Sequence, residues 1–229
     1  MRIVATSDFH GYLPKDIPEC DLLLIGGDVC PVQNHSRQYQ AAWLRSTFSD
    51  WLKEQPAKWI MGVGGNHDFV LQESKGLGNE LPWIYLDNSS FTVDGIKVWG
   101  SPMSPTFGRW AFMGDDRNLA EIWRTIPQDV DILLVHGPPF GYGDRVNNNW
   151  TPDPNVGSKS LMNRLWYGEF LNLKLIVSGH IHEAYGRGIV SLMNEQNIVW
   201  SNVSYLDEKY EPGNPPMVYE LTKGGRSVV

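Results

Sequence analysis

Lys58-Trp59-Ile60-Met61-Gly62-Val63-Gly64-Gly65-Asn66-His67-Asp68 is an apolar run that ends abruptly in an amide, an imidazole and a carboxylate. Residues 58–63 have the character of a strand, and the glycines that follow let the chain turn tightly. The polar trio therefore belongs at a strand's C-terminal end, where open α/β sheets build their sites. Alone, such a cluster is an ordinary hydrogen-bonded turn. Its weight comes from recurrence along the chain.

Upstream, residues 2–7 read as a short strand, and 22–25, Leu-Leu-Leu-Ile, as a strand buried on both faces. The first runs into Asp8-Phe9-His10-Gly11 and the second into Gly26-Gly27-Asp28. Over 38–54 the apolar residues Tyr39, Ala42, Trp43, Phe48, Trp51 and Leu52 follow helical spacing, and Pro56 closes the segment. Strand, helix and strand in that order predict a parallel crossover.

Downstream of Asp68 a helical stretch to about Lys75 is stopped by Gly76-Leu77-Gly78, and 83–85 form a short strand. Segments 90–93 and 96–99 flank Asp94-Gly95, a two-residue hairpin signal. The loop 101–114 carries Phe107, Trp110 and Phe112, whose expected role is packing. A helix is predicted at 119–124, and the buried strand 131–135 ends at His136-Gly137-Pro138-Pro139. The long loop 140–157 has the length of a functional loop and precedes a helix over 158–170. Strand 175–177 ends at Ser178-Gly179-His180-Ile181-His182. A pair at 188–193 and 198–202, then a strand at 217–221 and a polar tail, complete the chain. No repeat or linker divides it, so one domain over 1–229 is expected.

Composition bounds the function. With 229 residues, 41% of them hydrophobic, and ten Trp and nine Tyr, the chain is not a disordered one. No run approaches the roughly 20 apolar residues that span a membrane, and the N-terminus lacks the apolar region of a secretory signal. A cytoplasmic protein is expected. Cys20 and Cys30 form no disulfide framework or zinc spacing and read as buried free thiols. A net charge of −7 disfavours extended nucleic-acid binding and capture by anionic membranes.

Five strand ends thus carry Asp8 and His10, Asp28, Asn66 and His67, His136, and His180 and His182. Five of the six histidines fall there; the sixth, His35, reads as a surface residue. Oxygen and nitrogen donors without sulfur suit Mn, Fe, Zn, Co or Ni. His180 and His182, two apart on a loop, can diverge toward two ions. So many donors exceed what one tetrahedral ion takes but suit two ions sharing a carboxylate.

From Asp8 to His182 these five blocks, in order, resemble the calcineurin-like metallophosphoesterases. Within that superfamily the chain is similar to the small metallophosphoesterase-domain proteins grouped with class III cyclic nucleotide phosphodiesterases. The added likeness lies in Gly100-Ser101-Pro102-Met103-Ser104-Pro105, in His136-Gly137-Pro138-Pro139-Phe140-Gly141-Tyr142-Gly143-Asp144 and in Asn214-Pro215-Pro216. The resemblance implies an α/β fold, a four-layer α-β-β-α sandwich with two mixed β-sheets. It implies one ion on Asp8, His10, Asp28 and His182, with Asp28 bridging to a second ion on Asn66, His136 and His180. Two divalent ions are expected, manganese first and iron, zinc, cobalt or nickel as the others.

The implied chemistry is in-line attack on phosphorus by a hydroxide bridging the two ions. His67 would protonate the leaving oxygen or stabilise phosphate charge, and Asp68 would hold its imidazole. Two divalent ions against two carboxylates and one hydroxide leave a single positive charge, which a phosphodiester monoanion neutralises. The expected partner is a small phosphate ester, a nucleotide among the candidates, and the expected activity a phosphodiesterase. The alternatives are a phosphomonoesterase or protein phosphatase, a nuclease, and a metal-binding protein without turnover.

Overall fold

The computed structural model describes residues 1–74, 76–147 and 152–221. The layering follows from one strand, in which Leu22, Leu23, Leu24 and Ile25 are all fully buried. Alternate side chains leave opposite faces of a strand. Leu22 and Leu24 accordingly enter a core shared by two sheets, while Leu23 and Ile25 enter a separate core beneath helices.

The first sheet begins with β1 (Arg2–Thr6), β2 (Cys20–Ile25), β3 (Ala57–Gly62) and β4 (Ile84–Tyr85), each parallel to the next. The hairpin of β5 (Ser89–Val93) and β6 (Ile96–Ser101) opens the second sheet. Its turn residues Asp94 and Gly95 both have positive φ, 48° and 81°, as a two-residue loop of the type I′ class requires. After the short parallel pair β7 (Ser104–Pro105) and β8 (Met113–Gly114) come β9 (Ile132–Val135), β10 (Leu175–Ser178), β11 (Gly186–Ser191) and β12 (Asn197–Asn202). The last strand, β13 (Met217–Glu220), returns antiparallel to β1. The sheet orders are β13-β1-β2-β3-β4 and β11-β12-β10-β9-β6-β5. Both are mixed, as expected.

Helices cover the two outer faces. On the first sheet lie α1 (Arg37–Trp43), a turn of π-helix (Leu44–Phe48), α2 (Ser49–Glu54), α3 (Phe69–Glu73) and α4 (Leu77–Glu80). On the second, α5 (Asp116–Trp123) and α6 (Lys159–Tyr167) pack Leu119, Trp123, Leu161 and Leu165 against Trp99, Leu133, Val135 and Ile176. The result is the four-layer α-β-β-α sandwich. Among the described residues no helix is long and apolar enough to cross a membrane.

Two local expectations are corrected. The predicted single helix over 38–54 is broken by the π turn, which shifts the buried face, leaving Tyr39 and Ala42 exposed and Gln40 and Leu44 buried. Gln40 is held inside because its amide donates to the His67 carbonyl at 2.6 Å and accepts from the Val70 amide at 3.0 Å. The helix after Asp68 ends at Glu73, ahead of Gly76-Leu77-Gly78, but that segment is not only a stop: Leu77 and Gly78 open α4, with Leu77 buried and Gly78 close against the Tyr85 ring. Lys75, part of the 140–157 loop and the polar tail over 222–229 lie outside the described residues.

Truncating Leu24 removes methyl groups from the core that joins the sheets. Leu24→Ala should cost about 2–5 kcal/mol of stability, read as a lowered denaturant midpoint with unchanged slope.

Candidate metal centre

The loops leaving β1, β2, β3, β9 and β10 meet where the two sheets adjoin. Ser7 bridges to Ser204, the Gly179 amide donates to the His136 carbonyl at 3.1 Å, and the Asp8 amide donates to the Gly27 carbonyl at 2.9 Å. Asp8, His10, Asp28 and His180 all take up left-handed backbone, with φ of 55°, 46°, 52° and 70°. Such geometry costs a residue about 1–3 kcal/mol and persists only where surroundings enforce it. Two glycines permit the close approach. A Cβ at Gly65 would overlap Asp28 Oδ1, and one at Gly179 would overlap Asp8 Oδ2.

The predicted residues converge in three overlapping groups. Asp8, His10 and His182 present ligand atoms within 4.8 Å of one another, as do Asp28, His136 and His180, and also His10, Asp28 and His67. His10 Nε2 lies 3.2 Å from His182 Nε2 and 3.8 Å from Asp28 Oδ2, so it stands between the groups. His136 Nε2 is 3.4 Å from Asp28 Oδ2 and 3.0 Å from Asn66 Oδ1. Asp8 Oδ1 faces His182 Nε2 at 3.5 Å. Hydrogen bonds hold the carboxylates in place. Ser7 Oγ and Ser204 Oγ donate to Asp8 Oδ2 at 2.5 and 3.0 Å, and the His67 amide donates to Asp28 Oδ1 at 2.7 Å.

The donor chemistry fits cations. His136 Nδ1 is 2.9 Å from the Gly26 carbonyl, and His182 Nδ1 is 2.9 Å from the Asp207 carbonyl. A carbonyl only accepts, so each Nδ1 carries a proton and each ring turns its Nε2 toward a carboxylate oxygen. A positive charge belongs between each Nε2 and its carboxylate, a proton or an ion that displaces it, and an Nδ1 held by a carbonyl is the outer-sphere pattern of metal-bound histidine. Charge perturbations agree. Burial opposes ionisation of Asp8 and Asp28, yet His182 holds Asp8, and His136 and His67 hold Asp28, well below the usual carboxylate range. Burial also opposes the charged form of His136, but the Asp28 charge prevails and pushes its pKa up to about 9. Burial, with the neighbouring His136 charge, lowers His180 to about 3. These groups fit a dinuclear metal site.

His67 lines a pocket of 580 Å³ together with Asp28, Asn66, His180, His182 and an apolar wall that includes Phe107, Trp110 and Tyr210. Phe107, expected to pack, is 62% exposed at this pocket, whereas Phe112 is buried as expected. Asp68 does not take up the imidazole of His67. Its carboxylate accepts the amides of Cys30 and Gly65, each at 2.8 Å, and of Val29 at 3.3 Å. It thereby ties the loop after β2 to the loop after β3, and burial with the Asp28 charge pushes its pKa up to about 6. The ring partner of His67 is instead His35, whose Nε2 lies 3.1 Å from His67 Nδ1. His35 is half-buried rather than a free surface residue. Sequence reasoning also passed over Gln40, Asp207 and Tyr210, whose ring lies 4.7 Å from that of His182. None of them stands at a strand end.

Comparison with known proteins gives a consistent outcome. The calcineurin-like phosphoesterase family model matches residues 1–184. Human metallophosphoesterase domain-containing protein 1 is 30% identical over 249 residues, covering 96% of this chain and 71% of the human protein. Among solved structures, Haemophilus influenzae NAD nucleotidase aligns with a TM-score of 0.55 at 14% identity, over all of this chain and 55% of that one. A dimetal phosphatase from Danio rerio aligns with a TM-score of 0.52 at 12% identity, over 96% and 92% of the two chains. At those identities the two structures speak for the fold.

Metal affinity should depend on pH through His136. Its pKa of about 9 in the metal-free protein means that below this value a proton must leave before Nε2 can ligate. Affinity for Mn²⁺ should therefore rise from about pH 6 to about pH 8, with protons released on loading. Calorimetry in buffers of different ionisation enthalpy checks both; binding without proton release contradicts this account.

Proposed function

The chain belongs to the calcineurin-like phosphoesterase family, and from that footing we propose that it is a dinuclear phosphodiesterase acting on small phosphate diesters. The observation that carries the diester reading is the pocket lining. Among the described residues no Lys or Arg lines it, so no side chain with a fixed positive charge adds to the ions in balancing a phosphomonoester dianion. A diester monoanion needs less. The aromatic wall of Phe107, Trp110 and Tyr210 favours an ester bearing a flat group, a nucleotide among the candidates.

In this reading Asp8, His10, Asp28 and His182 would hold one ion, and Asp28, Asn66, His136 and His180 would hold the other. Bound there, two divalent ions would supply a nucleophile at neutral pH and neutralise charge developing on the phosphate oxygens. The protein supplies the rest. Asp28 keeps both groups in register while fixing the His67 amide through Oδ1. His67 then delivers a proton or a hydrogen bond to the departing oxygen, with Nδ1 engaged and Nε2 available. Asp68 acts at one remove, by clamping the Asp28 and Asn66 loops together.

After reconstitution with Mn²⁺, bis(nitrophenyl) phosphate should be hydrolysed faster than nitrophenyl phosphate, and a chelator should abolish both activities. A monoester preference would instead favour the phosphatase reading. His67→Ala should retain two ions per chain by elemental analysis while turnover falls about 10²–10⁴-fold, most for esters with poor leaving groups. Full turnover of a poor leaving group would remove His67 from the acid role.

A further inference from the structure

We propose that His35 is the positioning residue of His67, fixing which edge of that imidazole faces the phosphate ester. The proposal rests on the reading of His67 as the group that meets the leaving oxygen. His35 stands in the loop between β2 and α1, immediately before the α1 N-cap Ser36. Its Nε2 is 3.1 Å from His67 Nδ1, with ring centroids 5.2 Å apart and planes inclined by 44°. Its own ring is set by Phe69 and Trp110, at 5.4 and 5.5 Å.

An imidazole can turn over about its Cβ–Cγ bond, which exchanges each nitrogen with a carbon. Packing scarcely distinguishes the two orientations, because their shapes are nearly identical. Trp110, tilted over the His67 ring at 4.5 Å, confines its plane without selecting its edge. Gln40 grips the His67 backbone carbonyl and not the ring. The Asp68 carboxylate is directed to backbone amides. Among the described residues, His35 is the hydrogen-bond partner of the His67 ring. With Nδ1 held there, Nε2 is the nitrogen left for the pocket that His67 lines.

Because Nδ1 is the bonded nitrogen, the bond to His35 is not the one broken when Nε2 serves the leaving oxygen, and the ring edge stays fixed.

The test compares His35→Phe, which keeps an aromatic ring against Phe69 and Trp110, with His35→Gln, whose amide can restore a polar contact to Nδ1. In ¹⁵N spectra of the zinc-loaded protein, wild type should give one His67 tautomer with Nδ1 hydrogen-bonded. His35→Phe should give a tautomer mixture, and His35→Gln should restore the wild-type pattern. With two ions retained, His35→Phe should lower turnover of a poor-leaving-group diester roughly 10–100-fold, and should have no further effect in the His67→Ala background. Unchanged His67 resonances in His35→Phe, or equal losses in both backgrounds, would overturn the proposal. If the wild-type protein hydrolyses no phosphate ester, the functional reading fails while the spectra still decide the role of His35.

Discussion

The Asp28 carboxylate accepts the His67 amide at 2.7 Å through Oδ1 and turns Oδ2 toward His136 at 3.4 Å and His10 at 3.8 Å. It is buried, and a buried charge without partners costs several kcal/mol. The second sheet meets that demand by bringing His136 to the first. Asp8 is treated alike, with two hydroxyls, the His180 amide and His182 around it. Removing either carboxylate would leave imidazoles crowded together without the negative charge they face, although His136 and His182 would keep their carbonyl partners. The left-handed backbone at four of these residues persists because their bonds span separate strands, each restraining the others.

Much of this was legible in the chain. Buried parallel strands are continuous apolar runs, and at Asp8, Asp28, Asn66, His136 and His180 the chain leaves such a run within a few residues of its end. That abrupt change gives both the sheets and the donors. The phase of the helix after β2 was hidden, because a buried polar residue, Gln40, sets it through bonds to His67 and Val70 that no periodicity encodes. Asp68 was assigned to its sequence neighbour His67, whereas consecutive residues in a tight turn diverge, and its carboxylate serves amides 38 and 39 positions away. His35 carries no pattern at all. Its place follows from the crossing of two loops, which only the three-dimensional fold defines.

The two cores on either side of the first sheet also explain why the site tolerates an apolar wall. Rigid strands fix the donors, so the pocket rim of Phe107, Trp110 and Tyr210 is free to be built from loops. Loops on a rigid scaffold are where specificity ordinarily resides. Phosphoester chemistry and the choice of ester are thereby assigned to different parts of the chain.

His10 and His182 stand 172 positions apart, and so do Asp8 and His180. The amino-terminal sheet contributes Asp8, His10, Asp28 and Asn66, whereas three imidazoles arrive only with β9 and β10. Contacts of such separation carry a large loop-closure penalty and form slowly. During synthesis the first four of these residues therefore exist as water-exposed loops long before the three imidazoles are made. The cluster is a late product of folding, complete only when both sheets have docked.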